Sequence, residues 1–445
     1  MRVDYVLGTS AGGTQRHVRM LADGLAARGM TVSVYGPAAT WTAADPHLEA
    51  TPSAPERSGP ARDVSAETGS GAARDVSAET GSGAARDVSA ETGSGAARDV
   101  SAETRSGATG DVSAETSGHP GPPRFSAVEI ADRPRPSRDL AAIRRLRRLL
   151  ASSRPDVVHA HGLRAGALAA LAVGGRRASA RPALVVTVHN APPASGPGAA
   201  VYQVLERLVA RRADAVLCVS GDLEARMRRL GARGVARALV PAPPSPAGVS
   251  AETPARLRAE LGLASDPAAT SLILAVARLA PQKGLGTLVA AAAVWRDRYP
   301  APLLVIAGEG PLQADLARRA AAIGVRARFL GHRDDVPALL AAADVVVLPS
   351  VWEGQPLIVH ETLRAGRPLV ASRAGGIPDL TGEDAALLVS PGDPGALAAA
   401  VLTVLDDPVL AKRLSGAALQ RSRSLPSGQD ALDAAMAAYR RVAPA

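Results

Sequence analysis

The sequence predicts an α/β protein built from two Rossmann-like domains, and three observations carry that reading. The chain opens strand, loop, helix, strand: Val3–Leu7 is an apolar run ending at Gly8, a helical period runs through Val18, Leu21, Leu25 and Ala26 to Gly29, and Val32–Tyr35 is a second apolar run. A second series of short apolar runs, Leu272–Val276, Leu303–Ala307 and Val345–Leu348, each ends in a loop rich in Gly or Pro. Between the two series, Pro241–Pro254 is rich in Pro and Ala and reads as a linker. The expected organisation is a first domain at 1–240, a linker at 241–254, a second domain at 255–425 and a terminal helix at 426–445.

Composition narrows the function classes. The chain has 445 residues, 47% of them hydrophobic, which is enough for two real cores. Aromatic residues make up only 2%, and Ala, Leu, Val and Arg dominate, the pattern of a GC-rich coding sequence. The net charge is +9 and comes from arginine; lysine occurs only at Lys283 and Lys412. A basic balance admits nucleic acid, anionic lipid or phosphorylated ligands. The lack of aromatic platforms for stacking bases argues against a single-strand binder, so no nucleic-acid partner is expected. Cys218 is the single cysteine and lies inside the apolar run Ala215–Val219, so it reads as a small core residue. Met1–Leu7 runs straight into a strand without the charged and apolar regions of a signal peptide, and no apolar run nears the ~20 residues of a membrane span. A cytoplasmic protein is the expectation.

In the first domain, the loop Gly8-Thr-Ser-Ala-Gly-Gly-Thr14 joins strand to helix. It lacks the G-x-G-x-x-G spacing and the acidic residue after the second strand that a dinucleotide site needs, and Thr14 and Gln15 stand where a P-loop has Lys and Ser/Thr. From Arg62 a twelve-residue unit, R-D-V-S-A-E-T-G-S-G-A-A, restarts at Arg74, Arg86 and Arg98 and in part at Gly110. One Val per unit cannot bury enough surface to offset chain entropy, so 41–123 is expected to be a disordered insertion in one loop. Order resumes at Phe125–Ile130. Ser137 is placed to cap a helix whose stripe is Leu140, Ile143, Leu146, Leu149 and Leu150, with Arg138, Arg144, Arg145, Arg147 and Arg148 on the other face. That face is either a plain solvated surface or one that meets anionic lipid or a lipid-linked acceptor, and both readings stay open. Asp156-Val-Val-His-Ala-His-Gly162 ends a strand with His159 and His161 on one side. No third metal ligand is apparent near them. Leu184–Val188, ending at His189-Asn190, and Ala215–Val219, with Ser220 at its mouth, are further buried strands.

The stretch from Ser350 to Leu380 carries the chemistry. After Val345–Leu348, Pro349 and Ser350 end a strand; Pro356 suits a helix start and Gly366 with Pro368 a helix end. Glu353 then falls in the loop entering the helix and Glu361 inside it. The free N–H groups of Leu357 and Ile358 make an anion site, and a carboxylate one to two turns in can accept from paired sugar hydroxyls. Such parts suit a ligand that is both sugar and phosphate.

Glu353 and Glu361, followed by Ala374-Gly375-Gly376-Ile377-Pro378, resemble the retaining glycosyltransferases of family 4, of actinobacterial type, which have the GT-B fold: two Rossmann-like domains facing across a cleft. The loop Ala277-Arg-Leu-Ala-Pro-Gln-Lys-Gly284 is similar to that family's G-R-x-x-x-x-K-G, with Ala277 replacing its first Gly, and Gly12-Gly13-Thr-x-x-His-Val18 is similar to its first loop. The resemblance covers both domains and excludes the repeats. It implies a hexose moved from a nucleotide-diphosphate sugar, UDP or GDP, to an acceptor hydroxyl with retention and without a metal or other cofactor; no Asp-x-Asp occurs in the sequence. It implies Glu353 and His161 as catalytic residues beside the donor sugar. Donor binding falls to Arg278 and Lys283 on the diphosphate, Glu361 on the ribose, the Gly354, Leu357 and Ile358 backbone, Gly12 and Gly13, His159, and Leu330 in Arg328-Phe-Leu-Gly-His332 beside the base. Fixed cations suit a leaving group whose charge grows in the transition state. The acceptor is a small molecule, a glycan or a lipid-linked sugar, with peripheral contact to the inner face of an anionic membrane as the further expectation. The competing reading from another class is a non-catalytic nucleotide-sugar scaffold on the same fold.

Overall fold

The computed structural model describes residues 1–9, 13–41, 121–131, 133–174, 181–191, 197–241, 250, 252–263 and 270–443. Gly12, nearly all of the expected insertion at 41–123 and most of the linker lie outside them.

The first lobe runs β1 (Arg2–Leu7), α1 (Gly13–Ala27), β2 (Thr31–Gly36), α2 (Ala38–Trp41), β3 (Arg124–Ala127), α3 (Pro136–Ser153), β4 (Val157–His161), α4 (Leu163–Val173), β5 (Ala183–Val188), α5 (Pro197–Arg212), β6 (Ala215–Cys218), α6 (Gly221–Arg229) and β7 (Val235–Arg237). The second runs α7 (Thr253–Glu260), β8 (Leu272–Val276), α8 (Leu285–Ala292), β9 (Leu303–Ala307), α9 (Gln313–Ile323), β10 (Ala327–Phe329), α10 (Val336–Ala342), β11 (Val345–Leu348), α11 (Leu357–Arg364), β12 (Leu369–Ser372), α12 (Ile377–Thr381), β13 (Leu387–Val389), α13 (Pro394–Asp406) and α14 (Pro408–Arg423). The last helix, α15 (Gly428–Val442), follows.

Each lobe holds one sheet, ordered β3-β2-β1-β4-β5-β6-β7 and β10-β9-β8-β11-β12-β13, with every strand pair parallel. Parallel sheets are covered on both faces, which is why β5, β8, β9 and β11 read as near-continuous apolar runs and are buried along their length. Parallel pairing also sets all strand ends of one sense on one edge. Leu7 pairs with His161 and His161 with Thr187, so the loops after β1, β4 and β5 open side by side. α1 turns Val18, Leu21, Ala22 and Leu25 onto the sheet, and Gly29 closes it in the left-handed region at φ +80°.

Two expectations for α3 are corrected. Ser137 does not cap it: Pro136 takes the first helical position, where its missing N–H costs nothing, and Arg135 stands before it. Asp139 closes that end, donating its N–H to the Arg135 carbonyl (2.8 Å) and accepting the Arg135 N–H on its carboxylate (3.1 Å). Leu140 is not part of the buried stripe and is 47% exposed, whereas Ile143, Leu146 and Leu150 are buried.

α15 follows the second lobe in the chain but packs on the first. Its Leu432, Ala435, Met436, Ala438 and Tyr439 join the core that holds β1, β4 and β5. A reciprocal Ser427–Asp430 capping box starts it, and Arg28 on the first lobe pairs with Asp433 at 2.8 Å. Among the described residues no single helix is long and apolar enough to cross a membrane. Cys218 is buried and free, and burial pushes its thiol up to about 12.

Candidate functional site

The carboxyl ends of the strands in both lobes turn toward one cleft, where ligands of open α/β sheets bind. On the second lobe, Pro349–Pro356 leaves β11 and enters α11. Glu353 sits in that loop and is 5% exposed. Its Oε1 accepts from Lys283 Nζ at 2.6 Å and from Ser350 Oγ at 2.7 Å. Lys283 ends the short turn Pro281–Lys283 after β8, and Arg278 on the same loop is exposed. The turn at 374–376 fixes Glu353 from below: Gly376 N–H donates to the Glu353 carbonyl at 2.9 Å. Gly375 has φ +53°, and a Cβ there would stand 1.8 Å from the same carbonyl oxygen, so only glycine fits. Gly354 lies against the first lobe, where a Cβ would meet Val219 Cγ2 at 2.7 Å and the His189 carbonyl at 2.9 Å.

Pro356 precedes α11, whose first turn presents the Leu357 and Ile358 N–H groups. Glu361, one turn in, is half-buried. Burial raises its carboxyl, and the charges of Arg16 and Arg364 work against that rise. The start of α1 meets the start of α11: a Cβ on Gly13 would lie 3.4 Å from Leu357 Cδ1. Two positive helix ends therefore converge beside Glu361. Leu330 is half-buried after β10 and donates its N–H to the Ile306 carbonyl at 3.0 Å, away from these groups in sequence but on the same edge of the sheet.

The first lobe contributes a wall of histidines. His159 and His161 point the same way from β4, ring centroids 4.2 Å apart, and His189 stacks on His161 at 5.2 Å. His17 from α1 meets His161 edge-on at 5.8 Å. The structure separates the two predicted histidines. Both ring nitrogens of His159 are taken, Nδ1 by Tyr439 Oη (2.6 Å) and Nε2 by Thr187 Oγ1 (2.7 Å). His161 bonds His189 through Nδ1 (3.0 Å), and its Nε2 has no partner among the described residues. His161 and His189 line a cleft cavity of about 610 Å³ with Thr9, Asn190, Gln282 and Trp352. Burial first, and then repulsion from the neighbouring rings, holds His159 and His161 well below the ordinary histidine range. His189 is lowered to about 3 and His17 to about 4, chiefly by burial. The wall is neutral at pH 7. No group of three His, Cys, Asp or Glu among the described residues has the arrangement of a metal site.

Direct contacts join the lobes beside the cleft. Trp352 Nε1 donates to Asp222 (2.8 Å), Arg237 pairs with Asp379 (2.5 Å), and Gln355 accepts from Val240 N–H (2.8 Å) while donating to the Ala238 carbonyl (3.0 Å). Sequence reasoning missed Ser350, Trp352 and Tyr439. Ser350 and Trp352 lie within the Glu353 motif, which was their only signal; Tyr439 is 280 residues from His159 and gave none.

Comparison with known proteins gives a consistent picture. Residues 270–407 match the family model of glycosyl transferases group 1, and residues 82–243 that of a glycosyl transferase 4-like domain. The chain is 30% identical over 290 residues to the Escherichia coli UDP-Gal:alpha-D-GlcNAc-diphosphoundecaprenol alpha-1,3-galactosyltransferase, covering 61% of this chain and 72% of that one. It is 40% identical over 158 residues to a glycogen synthase of Mycobacterium tuberculosis, covering 34% of this chain and only 38% of the relative's length. The crystal structure of Anabaena HepE in complex with UDP has the same fold, with a TM-score of 0.68 at 18% identity over 99% of this chain and 100% of that one.

Proposed function

The chain belongs to the glycosyl transferases group 1 family and has the GT-B fold, and on that premise we propose that it is a retaining hexosyltransferase of the actinobacterial type, working with a UDP- or GDP-sugar and without a metal. The observation that carries this reading is the Lys283–Glu353–Ser350 cluster at the mouth of α11, with Glu361 one turn further in. It supports the reading because a sugar diphosphate calls for cations, a fixed carboxylate and free N–H groups together.

The roles follow from the chemistry. Lys283, Arg278 and the α11 N-terminus take the diphosphate and stabilise the charge that grows on it as the bond to the anomeric carbon breaks. These groups supply the positive charge a divalent cation provides elsewhere, which supports the metal-independent reading. Glu361 accepts the ribose hydroxyls. Glu353 Oε1 is occupied by Lys283 and Ser350, so Oε2 is the oxygen left for a donor-sugar hydroxyl. His161 offers its unpartnered Nε2 to the same sugar. His159 binds no donor in this scheme; it holds β4 to the last helix. The acceptor hydroxyl adds to the anomeric carbon on the face the diphosphate leaves, and its proton passes to the leaving diphosphate oxygen. The acceptor enters through the first-lobe cavity beside Asn190 and Trp352. The E. coli relative's named substrate is a diphosphoundecaprenol-linked sugar, which supports a lipid-linked acceptor class, and the enzyme is placed in this reading at the cytoplasmic face of the membrane. Leu140, exposed with Arg144 one turn on and Arg148 two turns on, supplies a surface for anionic lipid.

Calorimetric titration with UDP, GDP, ADP and dTDP, to wild type and Glu361→Ala, tests the donor site. One nucleotide should bind the wild type, and the variant should lose about tenfold or more of that affinity. Failure of every nucleotide to bind the folded wild type would sink the transferase reading. Binding with no transfer to any acceptor would favour a non-catalytic scaffold.

A further inference from the structure

Arg16 is exposed in the first turn of α1, and α1 belongs to the first lobe. Glu361 is half-buried in α11 of the second lobe. The tips of these two helices touch, Gly13 against Leu357, and each of the two side chains lies about one turn behind its own tip. The Arg16 charge acts on Glu361 across the cleft, opposing the burial of that carboxylate. A second couple is a direct ion pair: Glu353 holds Lys283 at 2.6 Å. In both couples the carboxylate is the group assigned to hydroxyls of the donor and the cation is suited to phosphate. A carboxylate out of water is costly without a compensating charge, so in the free protein Lys283 offsets Glu353, and Arg16 together with Arg364 offsets Glu361.

We propose that Arg16 is a donor-binding residue contributed by the first lobe: it compensates Glu361 in the free protein and turns to the diphosphate when the ribose takes Glu361. The inference rests on the donor site proposed above. Binding is then an exchange of partners. Ribose hydroxyls replace the Arg16 charge at Glu361 and a sugar hydroxyl takes the open Oε2 of Glu353, while phosphate oxygens take Arg16 and the ammonium donors that Lys283 does not spend on Glu353. A cation from each lobe ends on the same diphosphate, which ties cleft closure to the presence of the leaving group.

The test is titration of wild type, Arg16→Gln and Arg16→Lys with UDP and GDP, and with uridine and guanosine carried to millimolar concentration. Arg16→Gln should weaken the diphosphate that binds wild type by about tenfold, leave the matching nucleoside unchanged or tighter, and slightly lower the melting temperature of the ligand-free protein, whose Glu361 loses a compensating charge. Arg16→Lys should recover part of the loss. An unchanged diphosphate affinity in Arg16→Gln would overturn the proposal, as would an equal loss for diphosphate and nucleoside, which would mean that Arg16 acts only through Glu361. Those results differ from a failure of the donor site itself, in which the wild type binds none of the diphosphates.

Discussion

Gly375 shows how little room the candidate site leaves. Its left-handed backbone and the 1.8 Å approach to the Glu353 carbonyl make Gly375→Ala a backbone clash as well as a strained residue. The expected cost is about 3 kcal/mol, with loss of transfer activity, read by urea unfolding and a turnover assay side by side. His360 behaves in the opposite sense. It is 1% exposed, neither ring nitrogen has a partner among the described residues, and burial lowers it to about 4. His360→Leu should therefore stabilise the protein by about 1 kcal/mol, seen as a higher melting temperature. At this scale the sequence was most legible where a motif is local. Glu353, Lys283 and Glu361 lie within short signatures, and the structure brings Glu353 and Lys283 into contact although 70 residues separate them. What it could not show were partners chosen by tertiary packing. The strand period put His159 and His161 on one side, but only the seat of α15 decides that His159 spends Nδ1 on Tyr439, with Nε2 already on Thr187 of β5, while His161 keeps one nitrogen open.

At the scale of elements, the apolar runs gave the buried strands because a parallel strand covered on both faces needs no alternation. Helix ends were less legible. In α3, Pro136 and Ser137 compete for the start, and proline's fixed φ takes the first helical position. Leu140 fits the helical period yet points outward, because the period gives the angle of a stripe and the neighbouring chain sets its width. The docking of α15 hangs on Tyr439, fully buried, whose hydroxyl meets both Tyr5 Oη (2.9 Å) and His159 Nδ1. Tyr439→Phe leaves two buried polar atoms without that partner and should cost about 1–3 kcal/mol, measured as a lower urea midpoint at unchanged slope. The surface of α3 has its own test: Leu140→Gln with Arg144→Gln should reduce cosedimentation with phosphatidylglycerol vesicles and leave nucleotide binding intact.

For the whole molecule, buried titratable groups set the pH range of stability. Five histidines, His17, His159, His161, His189 and His360, are depressed, so the unfolded chain takes protons below pH 6.5 that the folded protein refuses. Their stability is present above that pH and is lost as pH falls, each at up to about 1.4 kcal/mol per pH unit. Asp4 works the other way. Burial raises it to about 6 against hydrogen bonds from Ser153 and Tyr35, so the folded protein holds its proton longer, and its contribution, about 3 kcal/mol, is present below 3.8 and lost by about pH 6. Five groups outweigh one, so urea midpoints should fall between pH 7 and pH 5. Asp4→Asn should raise stability at pH 7 and make that acid fall steeper. The position of α15 has a mechanical consequence as well. The backbone passes between lobes twice, first between 237 and 253 and again between Arg423 and Gly428. The second crossing ends in a helix seated in the first-lobe core, so the lobes are stitched together at two places and cannot part fully unless α15 leaves that seat.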